Sequence, residues 1–446
     1  MRHILLKAVI VLAVAAVGLS ACAQPTAAPE PTEAPPPPAQ ATSEEPVATA
    51  EAMLEPVTLT LGFTSSLTGS QNVASVRQNN GLALLINQIN DAGGFQVGES
   101  TLVSFDSVTY DDESNKDRVQ ELYTRLATED NADLMISPYS SGLADAAAVI
   151  AEQYGKIMIT TGAASDSTYM LGYTGVYQTY TPASRYLVGS VDQLLSLDPS
   201  LTKVALVHEN DKFSTDVVTA AKDYAEAQGL EVVLFEGYDT GTADFGPFIN
   251  KIVAAAPDAL LGGGHFADGE IFARQLFEKA VSLKYISLLV APPEPDFAQL
   301  GEAAFGIIGP SQWEPQAEYS PEAAAAAGVE WFGPTVTEFV DAYVAAFNEE
   351  PSYHSAGGYA AGLILQKAMI DAGTTDPEAL KSALDGMDIL TFYGRITFNT
   401  TAEAHGLQIG HSMVYIQWQK DAAGALEKQV VWPPEGATAD AIYPIR

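Results

Sequence analysis

The chain has 446 residues, of which 47% are hydrophobic and 17% charged, so it has enough apolar sequence for two cores and too much for a disordered chain. Its 56 acidic residues outnumber 21 basic ones, a formal net charge of −35 that excludes nucleic acid as a partner. The same charge excludes attachment to an anionic membrane through a basic patch.

The first residues are typical of an export signal. A short basic start and an apolar run over residues 8–18 precede Cys22, the only cysteine of the chain. The run is too short for a roughly 30 Å hydrocarbon core, and small residues lie before the cysteine, as in a bacterial lipobox. We predict a lipoprotein signal peptide over residues 1–21 and lipidation of Cys22; an ordinary cleaved signal with a chance cysteine is the alternative. A lone cysteine leaves no partner for an internal disulfide or a CxxC redox pair.

Residues 22–56 are rich in Pro, Ala, Thr and Glu and include four consecutive prolines at 35–38. Such segments favour extended, solvated polyproline II structure and contain almost nothing that could form a core. We predict an extended tether between the lipidated cysteine and the folded part.

From residue 57 the hydrophobic pattern alternates between strand and helix periods. The predicted strands are 57–63, 101–110, 133–137 and 157–161, and the predicted helices are 81–92, 116–129 and 142–154. Strands separated by helices of this length indicate a parallel sheet covered on both faces, which is an α/β fold.

A second alternation begins at residue 203. It predicts strands at 203–208, 231–238, 259–262, 286–290 and near 306–313, with helices at 215–228, 245–256 and 269–279. An Ala-rich stretch at 321–327 and helices at 336–347 and 355–371 follow. Residues 394–399, 412–419 and 428–432 alternate like antiparallel strands that close a sheet.

Several short segments resemble the type I periplasmic binding proteins of the leucine/isoleucine/valine-binding family. They are LMISPYSSG at 134–142, IMITTGAAS at 157–165, NDAGG at 90–94, YDDES at 110–114 and PE at 293–294. The resemblance covers residues 57 to the carboxyl terminus, and it depends on the combination and order of these segments.

The resemblance implies two Rossmann-like lobes joined by three hinge crossovers, with a ligand cleft between them. The first lobe would contain residues 57–181 and 313–390, and the second 182–312 and 391–446. It also implies a monomeric binding protein that delivers a small amino acid or similar ligand to the permease of an ABC transporter, held on the outer side of the membrane by its lipid anchor. A ligand-sensing subunit for a receptor and a binder of amides are alternatives.

The resemblance also assigns the ligand carboxylate to Ser141, with Ser140 beside it. These residues lie between a strand and a helix, where free N–H groups and the helix dipole favour an anion. An ordinary helix cap is the alternative, because serine is favoured there for local reasons.

The turn formed by Ala163, Ala164 and Ser165 would offer a carbonyl and a hydroxyl to the ligand in that family. Ala164 stands where amino-acid binders often have threonine, so Ser165 or a neighbour must supply the hydroxyl. Plain turn residues are the alternative.

Glu294 matches the acidic residue that pairs with the ligand ammonium in the family, with an exposed loop carboxylate as the alternative. Phe213, His265 and Phe266 match aromatic positions that cover the ligand, although each is equally compatible with a core or surface position.

Other chemistry is less well supported. The segment 262–267 fits the dinucleotide pattern GxGxxA but lies deep in the chain, so we expect a close-packed strand end and no cofactor. The acidic residues 111–113 are more typical of a turn than of a cation site. An exported hydrolase is the rival function, but the sequence has no GxSxG or HExxH segment, so we predict a binding protein and no enzyme.

Overall fold

The structure is a computed structural model, and it describes residues 54–317 and 319–445. The predicted signal peptide, the lipidation of Cys22 and nearly all of the tether lie outside the described residues. Within those two ranges, each helix is too short or too polar to cross a membrane.

Strands and helices alternate along most of the described chain. The strands are β1 (Glu55–Ser65), β2 (Phe95–Val97), β3 (Thr101–Asp111), β4 (Leu134–Ile136), β5 (Ile157–Thr160), β6 (Val176–Gln178), β7 (Lys203–Glu209), β8 (Glu231–Tyr238), β9 (Ala259–Gly263), β10 (Tyr285–Leu288), β11 (Ile308–Ser311), β12 (Glu330–Trp331), β13 (Asp388–Thr391), β14 (Gly394–Thr397), β15 (Val414–Lys420) and β16 (Leu426–Trp432). The α-helices are α1 (Asn72–Asp91), α2 (Lys116–Thr128), α3 (Ser141–Gln153), α4 (Val188–Leu197), α5 (Lys212–Ala227), α6 (Gly246–Ala255), α7 (Phe266–Glu278), α8 (Pro321–Ala327), α9 (Val336–Phe347), α10 (Tyr353–Ala372) and α11 (Pro377–Asp385).

Two large sheets form the centres of two lobes. The first has six strands in the order β2-β3-β1-β4-β5-β6, parallel except for the β2–β3 pair. The second has seven strands in the order β16-β15-β11-β10-β9-β7-β8, parallel except where β15 pairs with β11 and β16. The predicted α/β class with two lobes is therefore confirmed, and the terminal strands close the second sheet as expected.

A small third sheet, β12-β13-β14, lies apart from the other two. Its strands β13 and β14 form an antiparallel hairpin in which Leu390 pairs with Arg395. The lobe boundary expected between residues 390 and 391 would divide this hairpin. After it, Gly406 bonds Gln178 of β6, so the chain remains beside the first sheet well past residue 391.

Helices α1 and α10 pack closely in the first lobe because glycines replace side chains where they cross. A Cβ on Gly81 would come within 1.9 Å of the Ser355 carbonyl oxygen, and one on Gly358 within 1.9 Å of the Gln78 carbonyl oxygen. Such contacts are sterically forbidden, so only glycine permits this approach. The packing places Arg77 and His354, from the two helices, on the same side of the lobe.

The chain passes between the lobes near Thr181, Gln312 and His411, and hydrogen bonds connect these three segments. The Thr181 N–H donates to Gln312 Oε1 at 2.8 Å, and Thr181 Oγ1 lies 2.7 Å from His411 Nδ1. All three residues are buried. The crossovers therefore share one hydrogen-bond network.

Candidate functional site

The carboxyl ends of the parallel strands in both sheets face a cavity between the lobes. Its volume is about 10 Å³, and the residues that line it are Tyr139, Gly162, Ala164, Tyr180, Tyr186, Phe213, His265, Val290, Tyr353 and His354. One water needs about 10–15 Å³, so the cleft in this closed form has room for about one water and must open to admit an organic ligand. A larger groove beside Met413 and Pro433 lies outside this cleft.

The predicted carboxylate loop lies at the start of α3, close to the cavity wall. Ser140 precedes the helix, but within the described residues its side chain makes no capping hydrogen bond. Ser141 Oγ accepts hydrogen bonds from the N–H groups of Ala164 and Ser165, at 3.0 and 3.2 Å. The structure thus brings two predicted loops together, and the hydroxyl of Ser141 joins them.

The turn after β5 contributes Ala164 to the lining of the cavity. The Ala163 carbonyl accepts a long hydrogen bond of 3.4 Å from Gln178, and the Ala164 carbonyl accepts one of 2.7 Å from Ala183. Ser165 Oγ is buried and has no hydrogen-bond partner among residues 54–317 and 319–445. In this turn, the Ser165 hydroxyl is therefore still available for a hydrogen bond.

Two of the three aromatic residues predicted for the walls line the cavity, namely Phe213 and His265. Phe266 was expected beside them, but it packs against the apolar core of the second sheet. Phe266 is the first residue of α7, so its side chain points away from that of His265, which precedes the helix.

Sequence reasoning missed five of the aromatic residues that line the cavity: Tyr139, Tyr180, Tyr186, Tyr353 and His354. Tyr139 lies within the LMISPYSSG segment, which could have drawn attention to it. The others are ordinary core aromatics by pattern, and only the three-dimensional fold brings them to the same cavity.

His265 connects the lobes across the cavity. Its Nδ1 lies 2.9 Å from the hydroxyl of Tyr139, and its Nε2 lies 3.0 Å from Asp211 Oδ2. Burial would lower the pKa of His265, but the Asp211 carboxylate outweighs it and raises the pKa to about 9. The imidazole is therefore protonated at neutral pH and presents a cation to the cavity.

Glu294 does not line the cavity and has partners inside the protein. Its Oε2 accepts a hydrogen bond from Arg77 at 2.6 Å, and its Oε1 lies 2.5 Å from His354 Nδ1. Burial would raise the pKa of Glu294, but His354 and Arg77 together lower it to about 2. We call Arg77, Glu294 and His354 the Glu294 cluster. Where we expected a ligand ammonium, the structure places protein groups on both carboxylate oxygens.

His354 offers an acceptor to the cavity. Burial lowers its pKa more than Glu294 raises it, so the imidazole is neutral at pH 7 and Arg77 keeps Glu294 ionised. The Glu294 carboxylate can only accept a hydrogen bond, so His354 Nδ1 carries the proton and His354 Nε2 is an unprotonated acceptor. Within the described residues, His354 Nε2 and the Tyr180 hydroxyl have no hydrogen-bond partner, although both are buried. These atoms are available to a polar group of a ligand.

Further contacts bridge the lobes beside the cavity. Lys212 Nζ of the second lobe lies 2.9 Å from Asp145 Oδ2 and 2.5 Å from Ser167 Oγ of the first. Arg77 and Glu294 form a second bridge. Because ion pairs join the lobes at two places, the structure shows the cleft closed.

Comparison with known proteins points to one protein family. Residues 58–423 match the family model described as periplasmic binding protein. The Leu/Ile/Val-binding protein homolog 8 of Brucella abortus is 24% identical over 368 residues, which are 79% of this chain and 86% of that protein.

Solved structures share the fold. The branched-chain amino acid transporter substrate binding protein LivJ from Streptococcus pneumoniae, in complex with isoleucine, has a TM-score of 0.66 and 22% identity, over 83% of this chain and 100% of that one. A solute binding protein of an ABC transporter from R. palustris, in complex with benzoate, has a TM-score of 0.68 and 20% identity, over 86% and 99%.

Proposed function

The chain belongs to the periplasmic binding protein family, and on this premise we propose that it captures a small organic acid outside the cytoplasm for an ABC importer. The family consists of binding proteins without catalytic activity. The observation that carries the proposal is the lining of the cavity between the lobes, which is mostly aromatic.

The charge and hydrogen bonding of the walls support an anionic ligand. Protonated His265 lines the cavity and contributes positive charge there, although its two N–H groups are already bonded to Tyr139 and Asp211. The hydroxyl of Tyr180, which has no partner within the described residues, also faces the cavity and can donate. Tyr186 accepts a hydrogen bond from Gln312 Nε2 at 2.7 Å, which leaves its own proton to donate. A carboxylate can accept from such donors, and charge-assisted hydrogen bonds of this kind are strong.

Among organic acids, the walls favour one with an aromatic ring. Tyr139, Tyr180, Tyr186, Phe213 and Tyr353 surround the space, and ring pairs in offset or edge-on geometry are stabilised beyond their buried area. Among the described residues that line the cavity there is no carboxylate to pair with an ammonium. The R. palustris relative bound to benzoate supports the same class.

A small amino acid, the ligand class expected from the sequence, is the second candidate. The relative bound to isoleucine favours it. It requires a group other than the present lining to bind the ammonium, and Glu294 would have to exchange Arg77 or His354 for the ligand. An aromatic acid needs no such exchange.

The remaining parts of the proposal come from the sequence. Lipidation of Cys22 would hold the protein at the outer face of the cell membrane, and the tether of residues 22–56 would let the lobes reach the permease. We propose that the protein acts as a monomer with the permease as its partner; a ligand-sensing role would use the same cavity.

The test is thermal unfolding of the full chain with benzoate, 4-hydroxybenzoate, isoleucine, phenylalanine and, as a cationic control, benzylamine. A ligand at a hundred times its Kd adds about 2.7 kcal/mol of stability, which is several degrees in Tm. We expect stabilisation by the aromatic acids and none by benzylamine. Stabilisation by amino acids alone would select the second candidate, and none by any acid would refute the proposal.

A pair of matched variants locates the site. Tyr180→Phe removes one hydroxyl from the cavity wall, so we expect roughly tenfold weaker binding of the acid, the effect of one hydrogen bond to a charged group. Tyr224→Phe removes a hydroxyl that bonds Asp192 on the outer side of the second lobe, and it should leave the affinity unchanged. Equal affinities in the two variants would place the ligand elsewhere.

A further inference from the structure

A second group of buried acids lies behind the cavity wall, in the second lobe. Glu209 ends β7, Asp211 precedes α5, and Asp268 lies in the first turn of α7, which follows β9. Strands β7 and β9 are parallel neighbours, so their carboxyl ends bring these side chains to one edge of the sheet. His265 lies between this group and the cavity. We call Glu209, Asp211 and His265 the Glu209 cluster.

The hydrogen bonds of this region leave one carboxylate oxygen unused. Asp268 accepts from the His265 N–H at 2.8 Å and from the hydroxyl of Tyr238. Glu209 Oε1 accepts from Thr240 at 2.5 Å, but Glu209 Oε2 has no hydrogen-bond partner among residues 54–317 and 319–445. Glu209 is only 3% exposed. A bare, buried carboxylate oxygen is costly unless a cation approaches it.

The two neighbouring cations make their short contacts with acids other than Glu209. His265 Nε2 is directed at Asp211, 3.0 Å away, and Lys212, next to Asp211 in the chain, is directed at Asp145 of the other lobe. A Cβ on Gly264 would come within 2.5 Å of Glu209 Oε2 and 2.6 Å of Asp268 Oδ2. The glycine therefore lets two carboxylates lie against the backbone and close to each other.

The geometry points to a metal site: we propose that Glu209, Asp211 and His265 bind a divalent transition-metal ion such as Zn²⁺. One ligand atom from each residue lies within 4.8 Å of the others. Zinc takes imidazole nitrogen and carboxylate oxygen at about 2.0–2.2 Å, so small side-chain rotations close the shell around one ion. An imidazole ligand disfavours Ca²⁺ and Mg²⁺, which prefer oxygen.

The surroundings suit such a site. A metal-bound histidine normally donates its other N–H to a fixed partner, and His265 Nδ1 has one in the hydroxyl of Tyr139, at 2.9 Å. The Ser214 N–H bonds Asp211 Oδ1 at 2.8 Å and orients that carboxylate. The Asp211 side chain is 18% exposed, so an ion can enter from solvent. The ion would replace the proton between His265 and Asp211.

The experiment uses the full chain, freed of metal with EDTA and then transferred to buffer without chelator. ZnCl₂ is titrated in by calorimetry without organic ligand, so the outcome does not depend on the proposed function. We expect one Zn²⁺ per chain. Glu209→Gln should weaken binding at least tenfold, whereas Glu231→Gln, an exposed acid at the start of β8, should not change it.

Two further measurements keep the test decisive. Asp211→Asn should also weaken binding at least tenfold, and circular dichroism verifies that each variant is folded. Co²⁺ in place of Zn²⁺ should give the intense visible absorption of a four-coordinate site in the wild-type chain and lose it in Glu209→Gln. Absence of stoichiometric Zn²⁺ binding, or binding equal in folded Glu209→Gln and Glu231→Gln, would overturn the proposal.

Discussion

Two clusters beside the cavity, the Glu294 cluster and the Glu209 cluster, each contain a buried glutamate, and they differ in how the charge of that glutamate is compensated. In the Glu294 cluster both carboxylate oxygens have partners, Arg77 and His354. In the Glu209 cluster one carboxylate oxygen is bare within the described chain, although the side chain is equally removed from water. Burial alone therefore does not distinguish an acidic residue with a structural role from one that binds a ligand. The number of hydrogen-bond partners on its carboxylate does.

The difference also changes how each cluster relates to the lobes. Arg77 of the first lobe reaches Glu294 of the second, so the Glu294 cluster holds the closed cleft with protein groups alone. Glu209 and Asp211 belong to the second lobe, and only His265 reaches across, through Tyr139. The Glu294 carboxylate is compensated by protein groups alone, whereas we propose that the Glu209 carboxylate is compensated by a metal ion.

The largest expected effect on stability comes from removing Arg77 from the Glu294 cluster. Arg77→Met leaves Glu294 buried without its permanent positive partner, which typically costs about 3–5 kcal/mol of unfolding free energy. Urea unfolding of the metal-free chain measures it. Arg118→Met is the control, because this guanidinium is exposed on α2 and forms its ion pair with the exposed Glu121; we expect no measurable change in unfolding free energy. A similar small loss in both variants would contradict the role given to Arg77.

Acid should act on the same cluster. The folded-state pKa of Glu294 is lowered to about 2 from an ordinary 4.5, so its stabilisation is fully present above pH 4.5 and is lost as pH falls through 2. A shift of this size corresponds to about 3 kcal/mol. The charged and titratable groups that face Glu294 are Arg77, His354, Lys428 and Glu314.

The measurement is the difference in unfolding free energy between the wild-type chain and Glu294→Gln at pH 6, 4.5 and 3. The difference should be constant from pH 6 to 4.5 and should shrink at pH 3. A difference that does not change with pH would mean that Glu294 does not carry this charge.

An intermediate effect is expected in the cavity between the clusters. Phe213→Ala removes a buried ring from the wall, and full burial of such a side chain contributes about 1.5–3 kcal/mol, so affinity for the organic acid should fall at least tenfold. Phe235→Ala, on the exposed side of β8, is the control. Calorimetric titration with benzoate measures both, and equal affinities would exclude Phe213 from the site.

The smallest effect on stability should come from a substitution in the Glu209 cluster when no metal is present. Glu209→Gln removes an uncompensated buried charge, so the unfolding free energy should stay unchanged or rise by about 1 kcal/mol, the reverse of Arg77→Met. Glu231→Gln should remain within about 0.5 kcal/mol of the wild type. A loss of more than about 1 kcal/mol in Glu209→Gln would show that Glu209 is compensated after all.

Much of the fold could be predicted from local pattern. Helix α9 and strand β8 have the predicted bounds, 336–347 and 231–238, because their apolar periodicity is strong and their ends are marked by caps or turns. Helices α4 and α11 were missed. They lie between and after the two predicted strand–helix alternations, so no regular spacing of elements marked them.

The site was less accessible to sequence reasoning. Glu294 was predicted to pair with a ligand ammonium, whereas in the structure its carboxylate contacts Arg77 and His354; Arg77 lies 217 residues away in the chain, and no local sequence pattern indicates such a contact. Tyr180 and Tyr353 come from separate segments and meet with their ring centroids 5.8 Å apart. Phe266 packs in the core and not in the cleft for a local reason. It is one residue further along the start of α7 than His265, and successive side chains of a helix point in different directions.

The hydrogen bonds among Thr181, Gln312 and His411 have a mechanical consequence. Three separate hinge segments could each bend independently. Because Thr181 is hydrogen-bonded to both of the other segments, the three act as one hinge, and the lobes rotate about it together. The set point of such a joint can be shifted through a residue that does not line the cavity. A substitution at His411 would change how often the cleft is open, and so the apparent affinity for every ligand, without altering a residue of the cavity wall.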